Sequence, residues 1–471
     1  MSTVEYTSRF RQQLVLALSC TWAPGMVSAH ASEQGFVLLL PTDIYMIAGT
    51  TCVAATVVLL AILPETVLAA LFRPRSLIRW PRLKNLTVLT SGLSFLFLAA
   101  LVWAGLNGSR DPFENPLPLT IWTVWWIALV TVQGLFGDIW RWVNPWTGPV
   151  WVVRRTLVSR PLLHLPPRLG YGGAILTYLG FVAVLLADPA PSDPARLAGY
   201  VAGYWAFTCV AMIVFGQRWV LRGEGFTMLM RNYATLALFG RVRRRLRVGL
   251  FGWQALRRRP PRFGAAVFML LMLGSGSFDG LNETFWWLDL LGLNPLEFPG
   301  RSAVIGPNVI GLIVANAALI AAYGLAIWLG LRLIASGVPT GQAFCLFAPS
   351  ILPIALGYHI AHYFSSFLVE SQYVLAVIND PLDRGADLLG LGRFYVTTGF
   401  FNTHDSARTI WLTQAGAVVL GHILAILMAH AIAVRQFGSN RRAAASQAPL
   451  AVFMVLYTFF GLWLLASPRG V

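Results

Sequence analysis

Ten apolar runs, each near the roughly 20 residues that carry a helix across a bilayer, follow one another from position 42 to position 467. They lie near 42–63, 85–106, 117–137, 170–187, 196–216, 264–286, 309–331, 343–368, 409–433 and 449–467. Charge or a cluster of Pro, Gly and Asn bounds each run. Several contain Gly or Pro, which embedded helices tolerate when their neighbours repair the backbone. The pattern predicts an all-α fold, a polytopic membrane helix bundle of about ten transmembrane helices. Residues 32–471 read as one transmembrane domain. Its two longest loops, 217–263 and 369–408, have room for short amphipathic helices but for no soluble domain, and no internal repeat is visible.

A shorter apolar run precedes this map. Arg9 and Arg11 stand before Leu14–Trp22, then Pro24-Gly25, then Val27-Ser28-Ala29-His30-Ala31. A basic start, a short apolar stretch and small residues at −3 and −1 are the marks of a secretory signal peptide, here residues 1–31. Cleavage fits after Ala29 or after Ala31. The first choice makes His30 the mature N-terminus, whose amine and imidazole can chelate a metal together; the second removes it. An uncleaved first anchor is the alternative.

Composition agrees with the pattern. Of 471 residues 57% are apolar and 11% charged, against roughly 25% charged in soluble proteins. A soluble globular enzyme, a disordered chain and a disulfide scaffold are excluded. The four cysteines are scattered, without metal-ligand spacing, and Lys84 is the only lysine. No GxxxxGK[ST] phosphate loop therefore exists, nor a GxSxG, HExxH or serine–lysine arrangement.

The net charge of +16 raises the question of nucleic acid, and its distribution answers it. If the mature N-terminus starts outside, the loops 64–84, 138–169, 217–263, 332–342 and 434–448 are cytoplasmic. They hold 26 of the 35 basic residues, while 15 of the 19 acids fall on the other side. This is the positive-inside asymmetry of an inner-membrane protein with both mature termini periplasmic. The run Arg241, Arg243, Arg244, Arg245, Arg247 and the trio Arg257–Arg259 anchor topology or touch anionic lipid headgroups. Without a folded basic face bearing exposed aromatics, no nucleic-acid partner is expected.

Ionisable residues inside spans are costly and mark function by default. On the eighth span, Tyr358-His359-Ile360-Ala361-His362-Tyr363 puts two histidines at i, i+3, about 60° apart on one face. Glu370 follows two turns further out. On the sixth span, Asp279 and Glu283 stand at i, i+4, which places both carboxylates on one helix face. Asp43, His404 and Asp405 belong to the same outer boundary. Imidazole with carboxylate suits a divalent transition metal such as Zn, Fe, Mn or Cu(II). His359, His362, Glu370, His404 and His30 are the candidate ligands, with Glu283 and Asp279 as candidate catalytic carboxylates. Against this stands the reading in which the histidines bond neighbouring backbone and the carboxylates cap a water-facing helix end. A bis-histidine haem b between His362 and His422 is a further option. His422, at mid-bilayer, is a candidate proton relay, and His430 reads as interfacial. After the third span, Asp138 to Trp146 carries three tryptophans and an Asn-Pro turn, an aromatic belt or a fixed inner gate.

Short motifs spread over the chain resemble the bacterial polytopic membrane proteins of the fenitrothion hydrolase type, an organophosphate hydrolase component. They are Ala29-His30-Ala31, Val143-Asn144-Pro145-Trp146, Ser277-Phe278-Asp279-Gly280, the Tyr358–Tyr363 stretch and Gly461-Leu462-Trp463-Leu464-Leu465. The resemblance implies hydrolysis of a phosphotriester and brings no catalytic assignment. Three functions are therefore expected from the residues. The first is a metal-dependent hydrolase of small esters, in which the metal lowers the pKa of bound water and Glu283 is the general base. The second is a transporter or metal-handling permease for a small molecule or ion. The third is a non-catalytic subunit of a membrane complex. A buried polar path through the whole bilayer favours the second, and a dead-end outer pocket favours the first.

Overall fold

Nine helices among the described residues are long and apolar enough to cross a membrane, and a tenth apolar helix is shorter. They are α1 (Thr42–Ile62), α2 (Lys84–Asn107), α3 (Pro116–Leu135), the shorter α4 (Gly172–Ala187), α5 (Pro194–Phe215), α6 (Phe263–Leu281), α7 (Ile305–Leu333), α8 (Leu352–Asn379), α9 (His404–Phe437) and α10 (Asn440–Ala466). The computed structural model describes residues 37–469 except 38, 63–64, 80–83, 299 and 393–394. The expected signal peptide and His30 lie outside the described residues.

The helices expose large apolar side chains around the bundle, among them Ile44, Ile47, Val58 and Leu59 on α1 and Leu89, Leu93, Leu96 and Phe97 on α2. Such a surface is stable only against hydrocarbon, so the protein is a multi-pass membrane protein. At the centre stands α8, where every residue from Ile351 to His362 except Ile360 is buried. Two glycines set its approach to α9. A Cβ on Gly357 would lie 2.5 Å from the Ala417 carbonyl oxygen, and one on Gly421 would lie 2.6 Å from that of Pro353. Lipid offers helices no hydrophobic incentive to associate, so close backbone packing through small residues takes over.

Contacts between connecting segments sort into two sets, one at each end of the bundle. At the arginine-rich end, β1 (Arg75–Arg79), β2 (Phe239–Val242) and β3 (Arg245–Val248) form an antiparallel sheet in the order β1-β3-β2. Arg435 donates to the Leu256 carbonyl at 2.6 Å, and Leu163 N–H to Val214 at 2.9 Å. At the other end, Arg110 pairs with Asp193 at 2.8 Å, and Phe285 N–H donates to Pro468. The sequence-predicted alternation of ends therefore holds.

The arginine run reads differently in three dimensions. It folds as a two-stranded hairpin with Arg243 and Arg244 at its tip, at φ 47° and 64°, a turn in which both residues take the left-handed conformation that suits the strand twist. Ahead of it, Gly225–Tyr233 is a helix capped by the Glu224 carboxylate, which accepts from Phe226 N–H at 2.7 Å and Thr227 N–H at 2.6 Å. Burial pushes the Glu224 carboxyl above its usual range despite these bonds and that from the Tyr204 hydroxyl. Three span boundaries also differ from the hydrophobic pattern. The sixth span ends at Leu281, not 286, and the eighth helix runs to Asn379. The tenth starts at Asn440 and carries Pro449 inside it. Apolar runs mark what lies in lipid, whereas helices end where caps supply partners.

At the acidic end, Arg301 and Asn308 donate to the last carbonyls of α4, at Leu185, Leu186 and Asp188. Asp188 Oδ2 receives Arg196 Nε at 2.8 Å and the Tyr200 hydroxyl at 2.7 Å, and Oδ1 receives Ala190 N–H at 2.8 Å. Burial alone would raise the Asp188 carboxyl; the bonds from Arg196, Tyr200 and Ala190 outweigh it and hold the group below the usual carboxylate range. A depressed acid stabilises the fold above its unfolded pKa, and that stability is lost as pH falls through the folded value. Asp188→Asn is therefore expected to lower the thermal midpoint by a few degrees at neutral pH. The gap to wild type should close as pH falls into and below the carboxylate range, as thermal unfolding of detergent-purified protein at several pH values will report.

Candidate functional site

Four polar side chains converge where α6, α8 and α3 meet. Asp279, near the C-terminal end of α6, lies with its Oδ2 3.2 Å from His362 Nε2 on α8. The Tyr363 hydroxyl donates to the same carboxylate oxygen. One turn back along α8, His359 Nε2 lies 3.0 Å from the Trp126 carbonyl oxygen. A carbonyl only accepts, which puts the His359 proton on Nε2.

The Trp126 carbonyl serves this role through the winding of α3. Thr120–Leu129 is a π-helix, and the Val130 N–H turns to Ile127. The wider π turn releases backbone groups from the α-helical ladder, and Trp126 spends its carbonyl on His359. The same segment supplies Thr123, whose hydroxyl donates to Glu370.

The residues of Ser277-Phe278-Asp279-Gly280 divide the labour on α6. Ser277 accepts from the Tyr457 hydroxyl at 2.7 Å. Phe278 meets Trp287 edge to face at 5.2 Å, and Asp279 holds His362 and Tyr363. Gly280 makes room: a Cβ there would lie 1.9 Å from Tyr358 Oη and 3.6 Å from His362 Nδ1. Tyr358 stacks on His362 with centroids 5.7 Å apart and planes 13° from parallel. Its hydroxyl and His362 Nδ1 are both buried and have no hydrogen-bond partner. Both line a cavity of about 20 Å³ together with Asp279, His359, Tyr363 and Ser275. That volume suits one water molecule.

Other sequence candidates have partners of their own. Glu283 does not share a helix face with Asp279, because α6 stops at Leu281 and Asn282 caps it. Glu283 instead lies 3.8 Å from Arg469 Nη1 and is half exposed, so the expected carboxylate pair is corrected to a single buried Asp279. Glu370 is taken by Thr123, and His404 lies exposed beside Asp405 at 3.6 Å. His422 is buried, with Nδ1 donating to the Val418 carbonyl at 2.9 Å and Nε2 without a partner. His362 is held by Asp279 and His422 by Val418, so the two rings have separate partners. His430 is buried, and its Nδ1 accepts from Gln447 at 3.2 Å. Among the described residues, no three His, Cys, Asp or Glu side chains come together as a metal-ligand set. Sequence reasoning missed Tyr363 as the second donor to Asp279, the Trp126 carbonyl and the Ser277–Tyr457 bond. Tyr363 alone had a signal, as a neighbour of the histidine pair.

No protein-family model, curated protein or solved structure matches the chain.

The approach of Tyr358 to Gly280 gives a direct test of this geometry. Gly280→Ala is expected to lower the thermal midpoint, since overpacking costs about 1–3 kcal/mol. Adding Tyr358→Phe removes the clashing oxygen and should recover most of the loss, as thermal unfolding of the single and double variants will measure.

Proposed function

We propose that the protein is a proton-linked permease of the bacterial inner membrane, moving a small solute or cation. The arginine-rich end faces the cytoplasm and the acidic end the periplasm, following the positive-inside rule. The observation that supports this reading best is a ladder of buried polar groups along the bundle. Asp279, His362 and Tyr363 stand near the acidic end. The Ser277–Tyr457 bond comes next, with the ring of His422 6.4 Å from that of Tyr457. His430 follows eight residues on, about 12 Å further along α9, bonded to Gln447. A structural subunit has little use for four buried histidines at successive depths, and buried ionisable groups in spans mark ion or proton routes.

In this mechanism the Asp279 carboxylate orients His362 through Nε2. His362 Nδ1 then takes a proton from, or gives one to, a molecule in the small cavity. Tyr358 and Tyr363 supply hydroxyls on either side. His422 Nε2 is the next unpartnered acceptor inward. Proteoliposomes with an entrapped pH dye and an imposed potassium diffusion potential test the route. Wild-type protein should carry protons above the rate of empty vesicles, and His362→Gln or Asp279→Asn should lower that rate at least tenfold. A wild-type rate equal to empty vesicles, or unchanged rates in both variants, would overturn the proposal.

A second reading has one observation in its favour. An Asp–His pair lining a space for one water resembles the arrangement of a general base, which agrees with the expected ester hydrolysis. The cavity holds no ester, so substrate entry would need α6 and α8 to part. Elemental analysis decides the metal-dependent form. Stoichiometric metal lost in His359→Ala/His362→Ala supports it, and a metal content that the double variant leaves unchanged removes it.

A further inference from the structure

A cavity of about 410 Å³ lies at the arginine-rich end of the bundle, where three segments far apart in the chain meet. Its size falls in the range of small-molecule sites. The short helix Glu65–Leu71 and the residues after it supply Leu68, Phe72 and Arg73. The helix Trp253–Arg257 supplies Trp253 and Arg257, and the last turn of α9 supplies Arg435. Leu68, Phe72 and Trp253 are buried, whereas all three arginines are exposed. The cavity therefore joins an apolar wall to a cationic mouth.

Nothing on the wall balances these charges. The lining holds no Asp or Glu. Among the described residues, the arginines paired with a carboxylate are Arg110, Arg196 and Arg469, all at the acidic end. Arg435 spends one N–H on the Leu256 carbonyl at 2.6 Å, which ties its guanidinium to the helix that carries Arg257. The side chains of Arg73 and Arg257 have no hydrogen-bond or ion-pair partner among the described residues. Topology anchoring only counts basic residues in loops and asks for no convergence. Like charges gathered over low-dielectric walls focus a positive potential, and the planar guanidinium fork matches a phosphate.

From this convergence we infer that the cavity binds a phosphate group, carried by an anionic lipid of the adjoining leaflet. A bare phosphate would leave the apolar wall unused, whereas a lipid places its glycerol and first methylenes against Phe72 and Trp253. Val67 and Leu71 on the short helix are exposed, which sets this helix at the boundary of acyl chains and headgroups. A lipid there reaches the arginines without leaving its leaflet, as basic pockets between helices do with acidic headgroups. The site lies at the opposite end of the bundle from Asp279 and His362, and its test reads lipid rather than transport, so it stands independently of the proton route.

The test uses the full-length protein in detergent, titrated with phosphatidylglycerol or with phosphatidylcholine of the same chains and followed by native mass spectrometry. Wild type should retain phosphatidylglycerol about tenfold more tightly than phosphatidylcholine. Arg73→Gln/Arg435→Gln should bring phosphatidylglycerol down to the phosphatidylcholine level. Arg243→Gln/Arg244→Gln removes the same charge from the hairpin tip, outside the cavity, and should leave retention unchanged. Ala69→Trp narrows the cavity at constant charge and should lower retention several-fold. Inorganic phosphate in large excess should not displace the lipid; displacement would assign the arginines to a free phosphate and overturn the lipid source. Equal retention of the two lipids by wild type, or equal losses in the two arginine pairs, would overturn the site. The comparison of lipids on wild type needs no variant, so an Ala69→Trp protein that fails to fold leaves the outcome decidable.

Discussion

Hydrocarbon offers no water, so every polar group carried into the bundle must find its partner within the protein. Asp279 is where that constraint binds hardest. A carboxylate is among the costliest groups to bury, and its cost falls only when charged or hydrogen-bonding neighbours surround it. Here one oxygen receives both His362 and Tyr363. Those two residues are adjacent on α8, so satisfying Asp279 fixes α8 in height and rotation against α6. The rotation of α8 in turn points His359 at α3, where the Trp126 carbonyl meets it. One buried acid thus sets the register among three helices that apolar packing alone would leave free to slide. The tight glycine crossing of α8 and α9 brings α9 into the same arrangement.

The same constraint explains what was legible in the sequence. Apolar runs and arginine asymmetry mark lipid and its boundary directly, so the spans and the alternation of their ends could be read from composition alone. The convergence of Asp279 and His362 was legible too, because ionisable residues are rare in spans and both fell at one predicted depth. Helix ends were not, since they depend on local caps. Leu281 ends α6 at Asn282, and Thr284 caps the short helix that follows. That stop turned the expected Asp279–Glu283 pair into one buried carboxylate and one half-exposed carboxylate beside Arg469. The arginine cluster misled in another way. Its β-hairpin pairs Phe239–Val242 with Arg245–Val248 and is extended by Arg75–Arg79, far away in the chain, and that long-range pairing leaves no periodic trace in so short a segment.

The π-helix in α3 was equally hidden, because Thr120–Leu129 reads as an ordinary apolar run. On one side it offers Trp126 and Thr123 to α8; on the other it presents Trp122 and Trp125 to a cavity walled by aromatic side chains. Trp126 lies edge-on to His359 at 5.2 Å and to Phe181 at 4.9 Å, so a single ring touches both. A π-helix is less stable than an α-helix and is retained mostly where a site needs its displaced groups. Rewinding α3 would turn both faces of the segment together. It would withdraw the Trp126 carbonyl from His359 and shift Trp122 and Trp125 in the cavity wall.

In a bundle where Gln133, Asn115 and Thr227 are hydrogen-bonded in full burial or close to it, other buried polar atoms have no partner, from Thr50 Oγ1 on α1 to His422 Nε2 on α9. Tyr358 Oη and His362 Nδ1 are two of them, on residues that line the small cavity. Each unmade bond costs about 1–3 kcal/mol, and simple apolar replacements such as Phe would remove the cost. Keeping Tyr358 and His362 in this condition trades stability for polar groups beside Asp279, and these are the groups on which the proposed proton route depends.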